Sequence, residues 1–188
     1  MHKNATAILD EILAAKRNLR HDPQYVIDRD DILRWAKSDD LNALGALYYL
    51  LFDSSLSTRI EPGLNLEDVL DFALPYLERC LREDPQSDWT TPRWSAGWDI
   101  ANWIKGLWAE ASSRPSVDRF QDWLALIYKT GDEDLRTCIV QATLEHVFEV
   151  EDIAAKFAPW RDDPELRPAY EEAKLWKEGL DEIALQPM

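Results

Sequence analysis

The sequence predicts an all-α fold of about eight helices, packed as an irregular bundle or a short stack of helical hairpins. Three observations predict it. Apolar residues recur at helical spacing along the chain, no segment sustains the apolar–polar alternation of a strand, and Pro, Asp and Gly mark the breaks between helical stretches. The 188 residues, 46% of them hydrophobic, suffice for one domain with a core. Residues 1–188 therefore read as a single domain, with a candidate hinge in the polar stretch 84–92, "DPQSDWTTP".

The elements follow in order. Asn4 is placed to cap a first helix that carries Ile8, Leu9, Ile12 and Leu13 on one face. Asp22-Pro23 resets the chain ahead of a short helix around Ile32–Ala36. Ser38, Asp39 and Asp40 offer caps for the strongly apolar "LNALGALYYLLF", and residues 53–64 read as a loop. Asn65 with Asp68 three residues on resembles a capping box; the helix it opens runs to about Arg82, with Pro75 expected to kink or split it. A tryptophan-rich helix spans about 93–111. The next is opened by Pro115 and closed by Gly131, another is opened by Asp132, and the last runs from Asp163-Pro164 to near Gly179.

Five of nine tryptophans fall in "WTTPRWSAGWDIANWIKGLW", Trp89 to Trp108. At about 100° per residue, Ile100, Ala101, Trp103, Ile104, Leu107 and Trp108 share one arc, so this helix is expected to be embedded with those residues in the core. Trp94 lies at the edge of the arc. Trp98 lies on the opposite side, and Trp89 precedes the helix in the polar loop; these two are the aromatic candidates for a second interface.

The helix opened by Asp132 is apolar over most of its circumference, with Leu135, Ile139, Ala142 and His146 on one side and Val140, Leu144, Val147 and Phe148 on another. Only a narrow strip is polar: Asp134, Gln141, Glu145 and Glu149, extended by Asp152. From Asp132 to Asp152 seven residues are acidic against a single basic one, Arg136, the densest charge in the chain. An exposed row of carboxylates a helical turn apart suits the Arg and Lys side chains of a basic partner, and equally suits water.

Net charge sets the class of partner. At −15 the chain repels nucleic acid and anionic membrane surfaces and steers basic proteins toward itself. No apolar run reaches the length of a membrane span, the N-terminal stretch lacks a signal-peptide core, and Cys80 and Cys138 are too few for a disulfide framework, so a cytoplasmic location is expected. The sequence has no GxSxG, no phosphate-binding glycine loop and no HExxH; with three histidines, and His146-x-x-Glu149 as a lone helical turn, neither a catalytic site, a metal site nor a cofactor is expected. "KRNLRHD" is similar to the Arg-then-His signature of some helical ribonucleases, but Arg17 and His21 stand one residue too close, which leaves a basic helix end.

One segment, residues about 123–147, resembles a HEAT-type repeat: an acidic turn leads into Asp134-Leu135-Arg136, then small and aliphatic residues at Ile139 and Ala142, with Leu144 one place late for the pattern. The resemblance implies stacked helical hairpins and a scaffold or adaptor role, with no catalytic residue. In composition the whole chain is similar to bacterial immunity proteins and antitoxins, which are small, acidic and without motifs. That profile implies a non-enzymatic inhibitor that captures a basic partner through Asp134, Glu145, Glu149 and Asp152, with Trp98 and Trp89 as anchors. An enzyme or small-ligand protein with a Trp-lined pocket is the third reading.

Overall fold

Short acidic and amide side chains start the helices. Asp28 accepts from the Asp30 N–H at 2.8 Å, Asp40 from Asn42 at 3.0 Å and Asp132 from Leu135 at 2.8 Å, each satisfying a donor that the first turn leaves without an intrahelical partner. Asn65 and Asp68 form a full capping box, the Asp68 N–H donating at 2.8 Å and the Asn65 N–H at 3.2 Å. The computed structural model describes residues 3–53 and 55–184. It shows an all-α protein, with ten α-helical segments among the described residues and only two two-residue strands. The chain divides into two compact units, 1–92 and 93–188, with the division directly after the 84–92 stretch.

The first unit holds α1 (Lys3–His21), α2 (Arg29–Trp35), α3 (Leu41–Leu51) and α4 (Leu66–Glu83). α3 is central, packing on α1, α2 and α4. It is buried almost all round, including Leu44, Leu47, Leu50 and Leu51, as its continuous apolar sequence requires. Residues 53–64, expected to be a plain loop, also contain a 3₁₀ turn (Ser57–Arg59) and β2 (Ile60–Glu61), which pairs in parallel with β1 (Ile27–Asp28). Pro75 does not split α4. The helix runs through it with Leu70, Phe72, Ala73, Leu74, Tyr76, Leu77, Cys80 and Leu81 buried, and that apolar face outweighs the one backbone bond that proline removes. Asp84 ends α4 in the left-handed region, φ 44°. Arg29 grips Asp68 with both prongs at 2.7–3.2 Å, tying α2 to the start of α4. The side chain of Asn4, the expected cap of α1, lies outside the described residues.

The second unit holds α5 (Arg93–Ala109), α6 (Ser116–Thr130), α7 (Glu133–Cys138), a π-helical segment (Ile139–Leu144), α8 (Glu145–Phe148), α9 (Glu151–Lys156) and α10 (Arg167–Ala184). α7, the π segment and α8 run on as one helix, and α5 and α10 both pack on its π segment. The Asp163-Pro164 start expected for the last helix is instead the end of a 3₁₀ turn, Ala158–Asp162; α10 begins at Arg167. The α5 arc is core as expected, but its tryptophans flank the arc and do not fill it. Ala96, Gly97, Ile100, Ala101, Ile104 and Leu107 are the buried residues, while Trp103 and Trp108 are half-buried. Small residues occupy the centre because the helices approach closely there: a Cβ on Gly97 would lie 2.7 Å from the Ala142 Cβ, and the Thr143 hydroxyl donates to the Gly97 carbonyl at 2.9 Å. Trp103→Ala is therefore expected to cost about 2 kcal/mol in chemical denaturation, below the 3–5 kcal/mol of a fully buried tryptophan. Among the described residues no helix is long and apolar enough to cross a membrane, and no group of three His, Cys, Asp or Glu is placed to hold a metal ion.

Candidate functional site

The acidic strip depends on the helix from Glu133 to Phe148 keeping a constant pitch, and it does not. The π segment adds a residue to one turn, so every side chain after Leu144 is turned back by roughly one position, about 100°. Asp134 and Gln141, on or before the extra turn, are exposed as expected. Glu145 is not. It is buried, 9% exposed, against the α10 side of the unit. Glu149 returns to the exposed strip, and Asp152, in α9, is also exposed. The Leu144 that stands one place late for the HEAT pattern is the last residue of this extra turn.

Burial, with the charge of Glu172 on α10 beside it, pushes the Glu145 carboxyl up to about 7. Glu149 goes the other way. Partial burial disfavours its anion, but Lys105 at 2.8 Å and the His146 Nδ1 at 3.1 Å outweigh that and hold its carboxyl below the usual range. Of the four strip carboxylates named from sequence, one is thus buried and one is already paired within the chain. Asp134 and Asp152 are the two fully on the surface.

The aromatic half of the site is better formed. Trp98 is 48% exposed, yet its indole stacks on the His146 ring at 3.8 Å between centroids and 27° between planes. Trp176 of α10 meets the same imidazole edge-on at 5.4 Å. His146, with 14% of its side chain exposed, is held between two indoles and the Glu149 carboxylate. Trp94, one helical turn before Trp98, is 47% exposed. Trp94, Lys105, Glu172 and Trp176 were not legible as site residues. The one available signal was the Trp94–Trp98 spacing of four, which puts both indoles on one side of α5. Trp89 belongs to the first unit, where it is half-buried.

Arg136 of the HEAT-like segment has a structural role. Its guanidinium donates to the Tyr128 and Lys129 carbonyls at 3.0 and 3.1 Å, capping the end of α6. No family model, curated protein or solved structure matches the chain.

Proposed function

We propose that this chain is a non-enzymatic protein-binding module, most concretely an inhibitor of the immunity-protein or antitoxin kind that captures a basic partner. The observation that carries the reading is Trp98: a large apolar ring, half in solvent, already fixed in orientation by its stack on His146. Interfaces draw most of their energy from such aromatic anchors, and a ring held in place before binding loses little freedom on binding. Trp94 supplies a second exposed indole on the same helix. The net charge of −15, with Asp134 and Asp152 exposed on the second unit, supplies attraction for a basic protein.

Co-purification from the native cell, followed by titration of variants at two ionic strengths, tests this. The expected partner is a single basic protein. Trp98→Ala is expected to weaken it at least about tenfold, near 1.4 kcal/mol, at both salt concentrations. Asp134→Lys is expected to slow association, mainly at low salt. If both variants bind as tightly as wild type, the interface lies elsewhere. Glu145→Lys is not a binding test, because it would bury a cation.

A further inference from the structure

The basic side chains of α1 stand apart from the acidity of the chain. Leu13, Lys16, Arg17 and Arg20, at helical spacing along one side of α1, line a cavity of about 260 Å³ together with Trp89. Lys16 holds its ammonium 6.0 Å from the centre of the Trp89 ring. Among the described residues, Lys16, Arg17 and Arg20 enter no ion pair, although the chain carries 36 acidic residues against 21 basic ones. The carboxylate that feels this cluster is Asp53. It is engaged elsewhere, held below its usual range first by the Ser55 hydroxyl, which donates at 2.5 Å, and then by the Ser55 N–H, Arg20 and Lys16.

The ring in this cavity sits on a fixed support. The Trp89 carbonyl lies directly against Gly45 of α3, and its N–H donates to the Ser87 hydroxyl at 3.3 Å. Ser87 in turn bonds Asn42, and two residues beyond Trp89 the Thr91 N–H donates to the buried Tyr76 hydroxyl at 3.1 Å. The segment is therefore pinned on both sides of the indole. Leu13, the indole and the aliphatic stems of Lys16, Arg17 and Arg20 give an apolar lining, while the charged ends of these three side chains, on a side of α1 where Arg17 and Arg20 are exposed, contribute almost none of it.

We propose that this cavity binds a small aromatic anion, its aromatic ring against Trp89 and its carboxylate or phosphate on Arg17 and Arg20. Guanidinium forks match both acidic groups in geometry, and an indole face stacks rings of any identity. The volume is below the roughly 300–1,000 Å³ of pockets for larger ligands, which fits one ring system with one acidic group. A polyanion such as nucleic acid is disfavoured, because repulsion from the net charge of −15 grows with the charge of the ligand. A basic protein is disfavoured by the local cations, so Trp89, grouped with Trp98 from sequence, has a different role.

The test follows the Trp89 indole N–H in ¹H–¹⁵N spectra of the full chain, assigned by its loss in Trp89→Phe. Adenosine 5′-monophosphate and indole-3-acetate are titrated, each beside its neutral counterpart, adenosine or indole-3-ethanol. At least one anion is expected to shift this resonance saturably, and its neutral counterpart to bind at least about tenfold more weakly. A response to the monophosphate alone assigns phosphate as the recognised group, to the acetate alone carboxylate, and to both either group. Arg17→Gln with Arg20→Gln, both on the surface, is expected to reduce anion affinity at least about tenfold and leave the neutral compounds unaffected. The proposal is overturned if neither anion shifts the Trp89 resonance up to about 10 mM, if neutral and charged forms bind alike, or if the double variant binds as wild type does.

Discussion

Gly45→Ala is expected to destabilise the first unit by about 3 kcal/mol, measured as a lower midpoint of urea unfolding with an unchanged slope. The Ala methyl would lie 1.7 Å from the Trp89 carbonyl oxygen, 2.8 Å from its carbon and 3.0 Å from the Tyr76 hydroxyl. No side-chain rotation relieves a clash with backbone, so the segment that carries Trp89 must move off α3. That movement pulls on the Tyr76–Thr91 hydrogen bonds, at 3.0 and 3.1 Å, around two buried threonines. Alanine improves helix propensity by about 1 kcal/mol, which the clash exceeds. Gly106→Ala is the matched control: it lies in the last turn of α5 with nothing within 4 Å of the added methyl, and is expected to gain about 0.5 kcal/mol. Equal stability of Gly45→Ala and wild type would mean that the Trp89 carbonyl does not rest on α3, and the support of the cavity at Trp89 would fall with it.

The features legible in the sequence are those settled within a few residues. Asp40, Asp132 and the Asn65–Asp68 box cap helices through contacts two or three residues away, so each of these starts is legible directly, whereas the start of α2 at Asp28, four residues before the expected Ile32, is not. The core arc of α5 was legible for the same reason: Ile100, Ala101, Ile104 and Leu107 follow a helical period. What was not legible depends on partners distant in sequence. Gly97 and Ala142 decide how closely α5 approaches the π segment, and that approach moves Trp103 and Trp108 to the flanks. The extra residue of the π turn breaks the assumption of 100° per residue, and that assumption puts Glu145 on the wrong side of its helix. The stack of His146 between Trp98 and Trp176 joins three helices, and the cavity at Trp89 joins α1 to a segment about seventy residues on.

Glu145→Gln is expected to be more stable than wild type at pH 8 by on the order of 2–3 kcal/mol, and nearly equal to it at pH 4.5. The carboxyl has an ordinary value of 4.5 and is pushed up to about 7 in the folded protein, first by burial and then by Glu172. The folded protein thus keeps a proton that the unfolded chain releases between those values. The contribution of this group to stability is full below about pH 4.5, is lost as pH rises through 7, and levels off above it. Glutamine keeps the shape and polarity of the protonated acid and removes the charge, so the loss should vanish in the variant while the other carboxylates titrate in both proteins alike. Urea unfolding of the two proteins at pH 4.5, 6 and 8 measures the difference directly. A gap between them that does not change with pH would mean that Glu145 titrates alike in the folded protein and the unfolded chain and faces water, which would restore it to the exposed strip with Asp134 and Glu149. A gap that opens between pH 4.5 and 7 places a proton-exchanging carboxyl next in sequence to the His146 ring on which Trp98 rests. Loss of that proton puts a second negative charge beside Glu172, so affinity for a basic partner should rise over the same pH interval in wild type and not in Glu145→Gln.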